Sequence, residues 1–194
     1  MNTKYYNYNI PQIYKEREAY KRSIPSKAKY VLFYGNEDIW ENKKFLPIAK
    51  RILKVTDKDI AGNLLNKFKG DTYHDDIKCE PALGRAAYTL FIDKRNEHEQ
   101  EAFNKMLETG LNLCVISYLF FIYDDSKFMP IRKRYMNAAL KELGYSNVES
   151  TYKSYIEYNK SLIDIQNKKG LKSLYDAHDF IWIIGNIIYK HIQI

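Results

Sequence analysis

The chain has 194 residues, 45% hydrophobic and 28% charged, with a formal net charge of +7. That length and balance fit one domain, or one domain with an appendage, with enough apolar surface for a real core, and they exclude a disordered chain. Residues 1–54 hold twelve Lys or Arg against five Asp or Glu, whereas residues 55–194 hold nineteen of each, so all the excess positive charge lies in the first part of the chain.

Such asymmetry predicts an acidic partner, with nucleic acid first and an acidic protein second. The polar, Tyr-rich N-terminus is not a secretory signal. The longest apolar run, Leu111 to Tyr123, is interrupted by Asn112 and Ser117 and is too short to span a bilayer. Cys79 and Cys114 make no paired motif and read as free thiols in a reducing cytoplasm. A cytoplasmic protein with no membrane partner follows. Eight Gly and five Pro fall mostly between periodic segments, which predicts a mostly α fold. Eighteen Tyr raise the expectation of an interaction surface.

In chain order, residues 1–10 show no period and read as an arm, followed by a short helix from Pro11 to Arg22 that Pro25 and Ser26 break. Lys29 to Gly35 is rich in β-branched and aromatic residues, and a buried strand and a helical turn remain open there. Phe45, Ile48, Ala49 and Ile52 fall at i, i+3, i+4 and i+7, predicting an amphipathic helix over 43–54. Its outer faces carry Lys44, Lys50, Arg51 and Lys54. Thr56 with Asp59 resembles a capping box for a helix to about Lys69, ended by Gly70. A polar loop over 71–80 precedes a helix from Pro81 to about Asp93, with Leu83, Ala86, Ala87 and Leu90 on one face.

Glu97 to Thr109 is the next helix, its first turn acidic as the helix dipole favours. Leu111 to Tyr123 is apolar almost all round and reads as the central buried helix. Ser150 or Thr151 caps a run to about Lys169 that Gly170 ends, and Ser173 opens the last helix. There Leu174, Ala177, Ile181, Ile184 and Ile188 form one stripe, with Tyr175, His178, Trp182 and Tyr189 beside it. The expected architecture is a single compact multi-helix domain over 36–194 with a basic, Tyr-rich arm and first helix over 1–35.

The densest basic triplet, Arg132-Lys133-Arg134, follows Pro130 and opens a helix whose apolar face is Met136, Ala139, Leu140 and Leu143. Pro130 biases Met129 away from helical geometry and so fixes the entry. Positive charge is disfavoured in a first helical turn, so three cations there imply an anion nearby. An internal carboxylate (Asp124, Asp125 or Asp176) is expected for Arg132, and an external ligand such as a phosphate for Lys133 and Arg134. Tyr135 follows them as a stacking residue.

The pieces SYLFFIYD, KFMPIRKRYMNAALKELG, TYKSYIEY and LYDAHDFIWIIG, spread over 111–185, resemble helical domains of bacterial phage-defence and restriction-associated proteins. More remotely, their order is similar to the helix-hairpin-helix DNA glycosylases, where a Pro-containing turn opens a helix ending in Leu-Gly and a later helix carries an Asp and a Trp. The resemblance implies a helical, DNA-associated fold and, if there is an activity, base excision. It covers about two fifths of the chain, and it departs from the glycosylase pattern at the catalytic position. That class carries its Asp two residues after the Pro, where this chain has Arg132, and the Gly-rich hairpin is missing. A relocated carboxylate leaves Asp176 and Asp179 as catalytic candidates, with His178 between them as a candidate base.

His74, Asp75, Asp76 and Glu80 lie close in sequence, but a polar loop before a helix is a cap more often than a metal site, and no metal or cofactor is expected. The function expected is nucleic-acid binding, DNA first, in a phage-defence or counter-defence setting. Its residues are Lys44, Lys50, Arg51, Lys54, Arg132, Lys133, Arg134 and Tyr135. An interaction module or inhibitor docking on an acidic protein is the alternative, and a divergent DNA glycosylase is a third reading.

Overall fold

A computed structural model of the chain describes residues 19–34, 38–41, 43–55, 80–93 and 95–192. Among these residues every regular element is helical and there is no strand, so the protein is mostly α. Residues 1–10, the helix expected from Thr56, the loop over 71–79 and the pair His74 and Asp75 with Asp76 lie outside the described residues. The chain divides into two compact units. One is Ser23–Asp125, and the other is Ser126–Ile194 together with the described residues up to Arg22.

In the first unit, α1 spans Ile24–Phe33, with Pro25 in its first turn. Pro25 therefore starts a helix, since a first-turn proline gives up no intrahelical hydrogen bond. The run from Lys29 onward is helical and not a strand: Ile24, Ala28 and Leu32 turn one stripe inward. Tyr30, Phe33 and Tyr34 are left on the other side, exposed. The short α2, Asp38–Glu41, carries Trp40, buried and donating its indole N–H to the Leu32 carbonyl at 3.0 Å.

Phe45–Val55 forms α3, and its predicted stripe of Phe45, Ile48, Ala49 and Ile52 is buried. α4 spans Glu80–Phe91, with Leu83, Ala86, Ala87 and Leu90 all buried. α4 packs on α3, and its Gly84 meets the backbone just ahead of α3, where a Cβ would fall 1.6 Å from the Lys43 carbonyl oxygen.

α5 spans His98–Glu108, starting one residue later than expected because Glu97 takes a left-handed conformation, φ 62°. α6, Leu113–Tyr123, is capped by the Asn112 side chain, which accepts from the Val115 N–H at 3.1 Å. Residues 115–122 are buried all round, so α6 is the centre of this unit and packs against α1, α4 and α5. No described helix is long and apolar enough to cross a membrane.

The second unit holds a 3-10 turn over Ala19–Ser23, of which residues 19–22 belong to it, and three helices. α7 spans Lys133–Glu142, with Met136, Ala139 and Leu140 buried, and Gly144 stops the segment at φ 83°. The loop that follows is held by Asn137, whose amide oxygen accepts from Val148 N at 2.8 Å while its NH2 donates to Val148 O at 3.3 Å. Thr151 caps α8, Tyr152–Lys169, by accepting from Ser154 N at 3.2 Å, and Gly170 ends it in the left-handed conformation. α9, Leu174–Ile192, packs on both α7 and α8.

Candidate functional site

The basic triplet sits on a corner built from buried polar side chains. Met129 N–H donates to Asn159 Oδ1 at 2.8 Å, and Asn159 in turn donates to the Tyr155 carbonyl. Tyr155 OH donates to Met129 O at 3.1 Å. The Pro130 carbonyl accepts twice, from Tyr158 OH at 3.2 Å and from His178 Nε2–H at 2.9 Å. Each of these donors is buried. Four side chains from α8 and α9 thus fix a segment that has no helical hydrogen bonds of its own, and leaving any one unmade would strand a buried polar group.

From this corner Arg132 enters α7 at the cap position, φ −110°, with no side-chain cap. Lys133 and Arg134 follow in the first turn, exposed, and no acidic residue shares that turn. Among the described residues none of the three cations has a carboxylate within ion-pair distance. The expected carboxylate partner of Arg132 is therefore corrected: Asp176 is taken by Arg22 at 2.8 Å and Asp125 by Lys29 at 3.6 Å. The Arg132 guanidinium lies over aromatic rings, 5.3 Å from the Trp182 centroid and 6.0 Å from that of Tyr135. Arg134 lies 4.0 Å from the Tyr189 centroid. Tyr135 meets Trp182 and Tyr189 edge-on, at 5.0 and 5.1 Å, so the three rings form one cluster that holds two guanidinium groups.

Gly185 lets this happen, because it lies in the α9 stripe between Trp182 and Tyr189 and faces the α7 backbone at Tyr135.

Beneath the cluster is a buried charge network. Lys21 Nζ reaches Asp179 Oδ1 at 3.3 Å and stands 5.9 Å from the Trp182 centroid. Burial lowers the Lys21 pKa, Asp179 opposes that shift, and the charge of Arg132 adds to it. Burial pushes Asp179 up, but His178 and Lys21 outweigh it and its carboxyl titrates below its usual range. His178 is held below its ordinary value by burial first and by the Lys21 ammonium second, against Asp179 and the Pro130 carbonyl. It is therefore neutral, with its proton on Nε2 facing Pro130.

These placements give the three catalytic candidates structural work. Asp176 accepts from Arg22 and from the Ser173 hydroxyl in the first turn of α9. Asp179 and His178 are each 3% exposed and spent on Lys21 and on Pro130. Among the described residues no group of three or more His, Cys, Asp or Glu is placed to hold a metal ion.

Loss of the neutral imidazole should be visible in pH dependence. The unfolded His178 binds a proton near its ordinary value of 6.5, while the folded one binds it only at lower pH. Between those values the unfolded state binds more protons, so stability falls as pH drops, by up to about 1.4 kcal/mol per pH unit. His178→Gln keeps an N–H for Pro130 and removes the titration. Urea midpoints at pH 7.5 and 5.5 should therefore fall more for the wild type than for His178→Gln, and equal losses would contradict the buried neutral imidazole.

The structure brings together Arg132, Lys133, Arg134 and Tyr135 of the expected site. Lys44, Lys50 and Arg51 belong to the first unit, where Lys44 and Lys50 are exposed and Arg51 is partly buried, and the Lys54 side chain lies outside the described set. Sequence reasoning missed Trp182 and Tyr189 as the seats of the two arginines, although both stood in the second stripe of α9. It also missed Lys21, for which no local signal exists. Protein-family models, curated proteins and solved structures give no match to this chain.

Proposed function

We propose that the chain binds nucleic acid, DNA first, through the face formed by Arg132, Lys133 and Arg134 over Tyr135, Trp182 and Tyr189. One observation carries this reading: three consecutive cations open a helix with no carboxylate partner among the described residues, and two of them are seated on aromatic rings. Leaving three like charges at the positive end of a helix dipole costs stability, roughly 0.3–1 kcal/mol each. An anionic ligand removes that cost, and guanidinium groups already oriented by rings lose less freedom on binding phosphate than free ones do. Because guanidinium groups cover Trp182 and Tyr189, this face suits the phosphate backbone and not base stacking. Lys50 and Arg51 on α3, with Lys44 just before it, supply a further set of cations, and Lys54 is kept with them on sequence alone. The phage-defence or counter-defence setting rests on the resemblance of residues 111–185 alone.

An acidic protein partner is the second reading, favoured by the pairing of Arg with Tyr and Trp that also marks protein interfaces. Titrating a labelled 20-base-pair duplex at rising salt tests the first. With three phosphate contacts the affinity falls about 40-fold between 50 and 200 mM salt. Binding indifferent to salt, or polyglutamate binding as well as DNA of equal charge, would overturn it.

A further inference from the structure

Two cations share the Trp182 ring and do different work. The Arg132 guanidinium lies 5.3 Å from the ring centroid and the Lys21 ammonium 5.9 Å, so the two charges stand no farther apart than those distances together allow. Arg132 is part-buried at the start of α7, on the face proposed for phosphate. Lys21 comes from the 3-10 turn, with 13% of its side chain exposed, and its ammonium meets Asp179 Oδ1 at 3.3 Å.

Asp179 has 4% of its side chain exposed, so its charge must be met inside the fold. His178 Nδ1 lies 3.6 Å from the same oxygen, but the imidazole is neutral with its N–H toward Pro130 and brings no positive charge. Among the described residues, Lys21 is the cation in ion-pair contact with Asp179. Lys21 therefore acts on Arg132 in two ways. It cancels the carboxylate that would otherwise draw the guanidinium inward past Trp182, and its own charge repels the guanidinium. An arginine held by a ring and not by a carboxylate keeps its N–H groups for a ligand.

We propose that Lys21 is a positioning residue for the phosphate face: by holding the charge of Asp179 it leaves Arg132 to the ligand instead of to the protein's own carboxylate. This rests on the function proposed above, and a measurement on Arg132 that needs no ligand lets the two fail separately.

That measurement is phenylglyoxal labelling of the full chain, read by mass spectrometry with Arg134 as the internal standard, beside titration of the 20-base-pair duplex. Circular dichroism first establishes that each variant is folded. Lys21→Met should lower Arg132 labelling relative to Arg134 and weaken duplex binding by about fivefold, as the loss of one charge-assisted contact requires. Its plot of log affinity against log salt should be shallower by about 0.9. Adding Arg132→Ala to Lys21→Met should cost nothing further. Lys21→Met/Asp179→Asn, which removes the carboxylate as well, should restore labelling and affinity, and Lys21→Arg should keep both. Wild-type labelling of Arg132 in folded Lys21→Met would overturn the proposal, because Asp179 would then have taken a proton and not the guanidinium. A labelling loss that Asp179→Asn does not restore would overturn it too. Failure of both Lys21→Met and Lys21→Gln to fold would assign Lys21 to stability alone, with the same result. If the wild type does not bind the duplex, the phosphate reading fails, and labelling alone decides whether Lys21 keeps Arg132 from Asp179.

Discussion

Gly185→Ala should lower the thermal midpoint of the protein by about 4–8 °C, the opposite of what helix propensity alone dictates. In the interior of a helix, Ala is favoured over Gly by about 1 kcal/mol. Here a Cβ would stand 2.2 Å from the Tyr135 carbonyl oxygen and 2.7 Å from its carbon, both backbone atoms that cannot swing aside. α7 and α9 must move apart to admit one methyl group, and overpacking of that kind costs about 1–3 kcal/mol or more. The clash outweighs the propensity gain, for a net loss of about 2 kcal/mol at the upper end of that range. The movement also displaces Tyr135, and with it the ring cluster that seats Arg132 and Arg134. Trp40 and Trp182 are the two tryptophans, so a Trp40→Phe background makes fluorescence melting report on the second unit. An unchanged midpoint would mean that the two helices do not approach as closely as described.

The triple variant Arg132→Ala/Lys133→Ala/Arg134→Ala should weaken duplex binding by roughly 100-fold at moderate salt, at about 1 kcal/mol for each lost charge-assisted contact. Its stability should hardly change. Removing three cations from the start of α7 relieves roughly 0.3–1 kcal/mol each of unfavourable interaction with the helix dipole. Against that stands the loss of two cation–ring contacts, about 0.5–1 kcal/mol each at partly exposed sites. The two effects nearly cancel, so a thermal melt beside the binding titration separates a lost contact from a lost fold. A large fall in midpoint with the affinity loss would point to a structural role for the triplet. Intact affinity would move the phosphate grip elsewhere, with the α3 cations the next to test.

Where the sequence was legible, a local rule sufficed. The stripes Phe45-Ile48-Ala49-Ile52 and Met136-Ala139-Leu140-Leu143 are buried as their spacing requires. In α9, Leu174, Ala177, Ile181 and Ile184 are buried, while Ile188 is only partly so. Of the two cap candidates Ser150 and Thr151 the structure uses Thr151, and Gly170 ends α8 as capping chemistry predicts. The stretch around Lys29–Tyr34 was ambiguous because its composition suits a strand, and its helical form shows in which residues are buried: Ala28 and Leu32 enter the core, while Tyr30 and Tyr34 stay exposed.

At the candidate site, the proline-fixed entry and the exposed pair Lys133 and Arg134 were readable. The seat of Arg132 was not. It depends on Trp182, fifty positions later, coming close through Gly185. Lys21 lies still farther out of reach, since it meets Asp179 across 158 residues of chain. Short-range periodicity carries no information about such pairs.

The most direct test of the central claim is the salt dependence of duplex binding, measured side by side for the wild type and the Arg132→Ala/Lys133→Ala/Arg134→Ala variant. If the triplet neutralises phosphates, the plot of log affinity against log salt should be shallower in the variant by about 2–3, close to 0.9 for each contact removed. Parallel lines with the same slope would contradict a phosphate-binding role for these three residues.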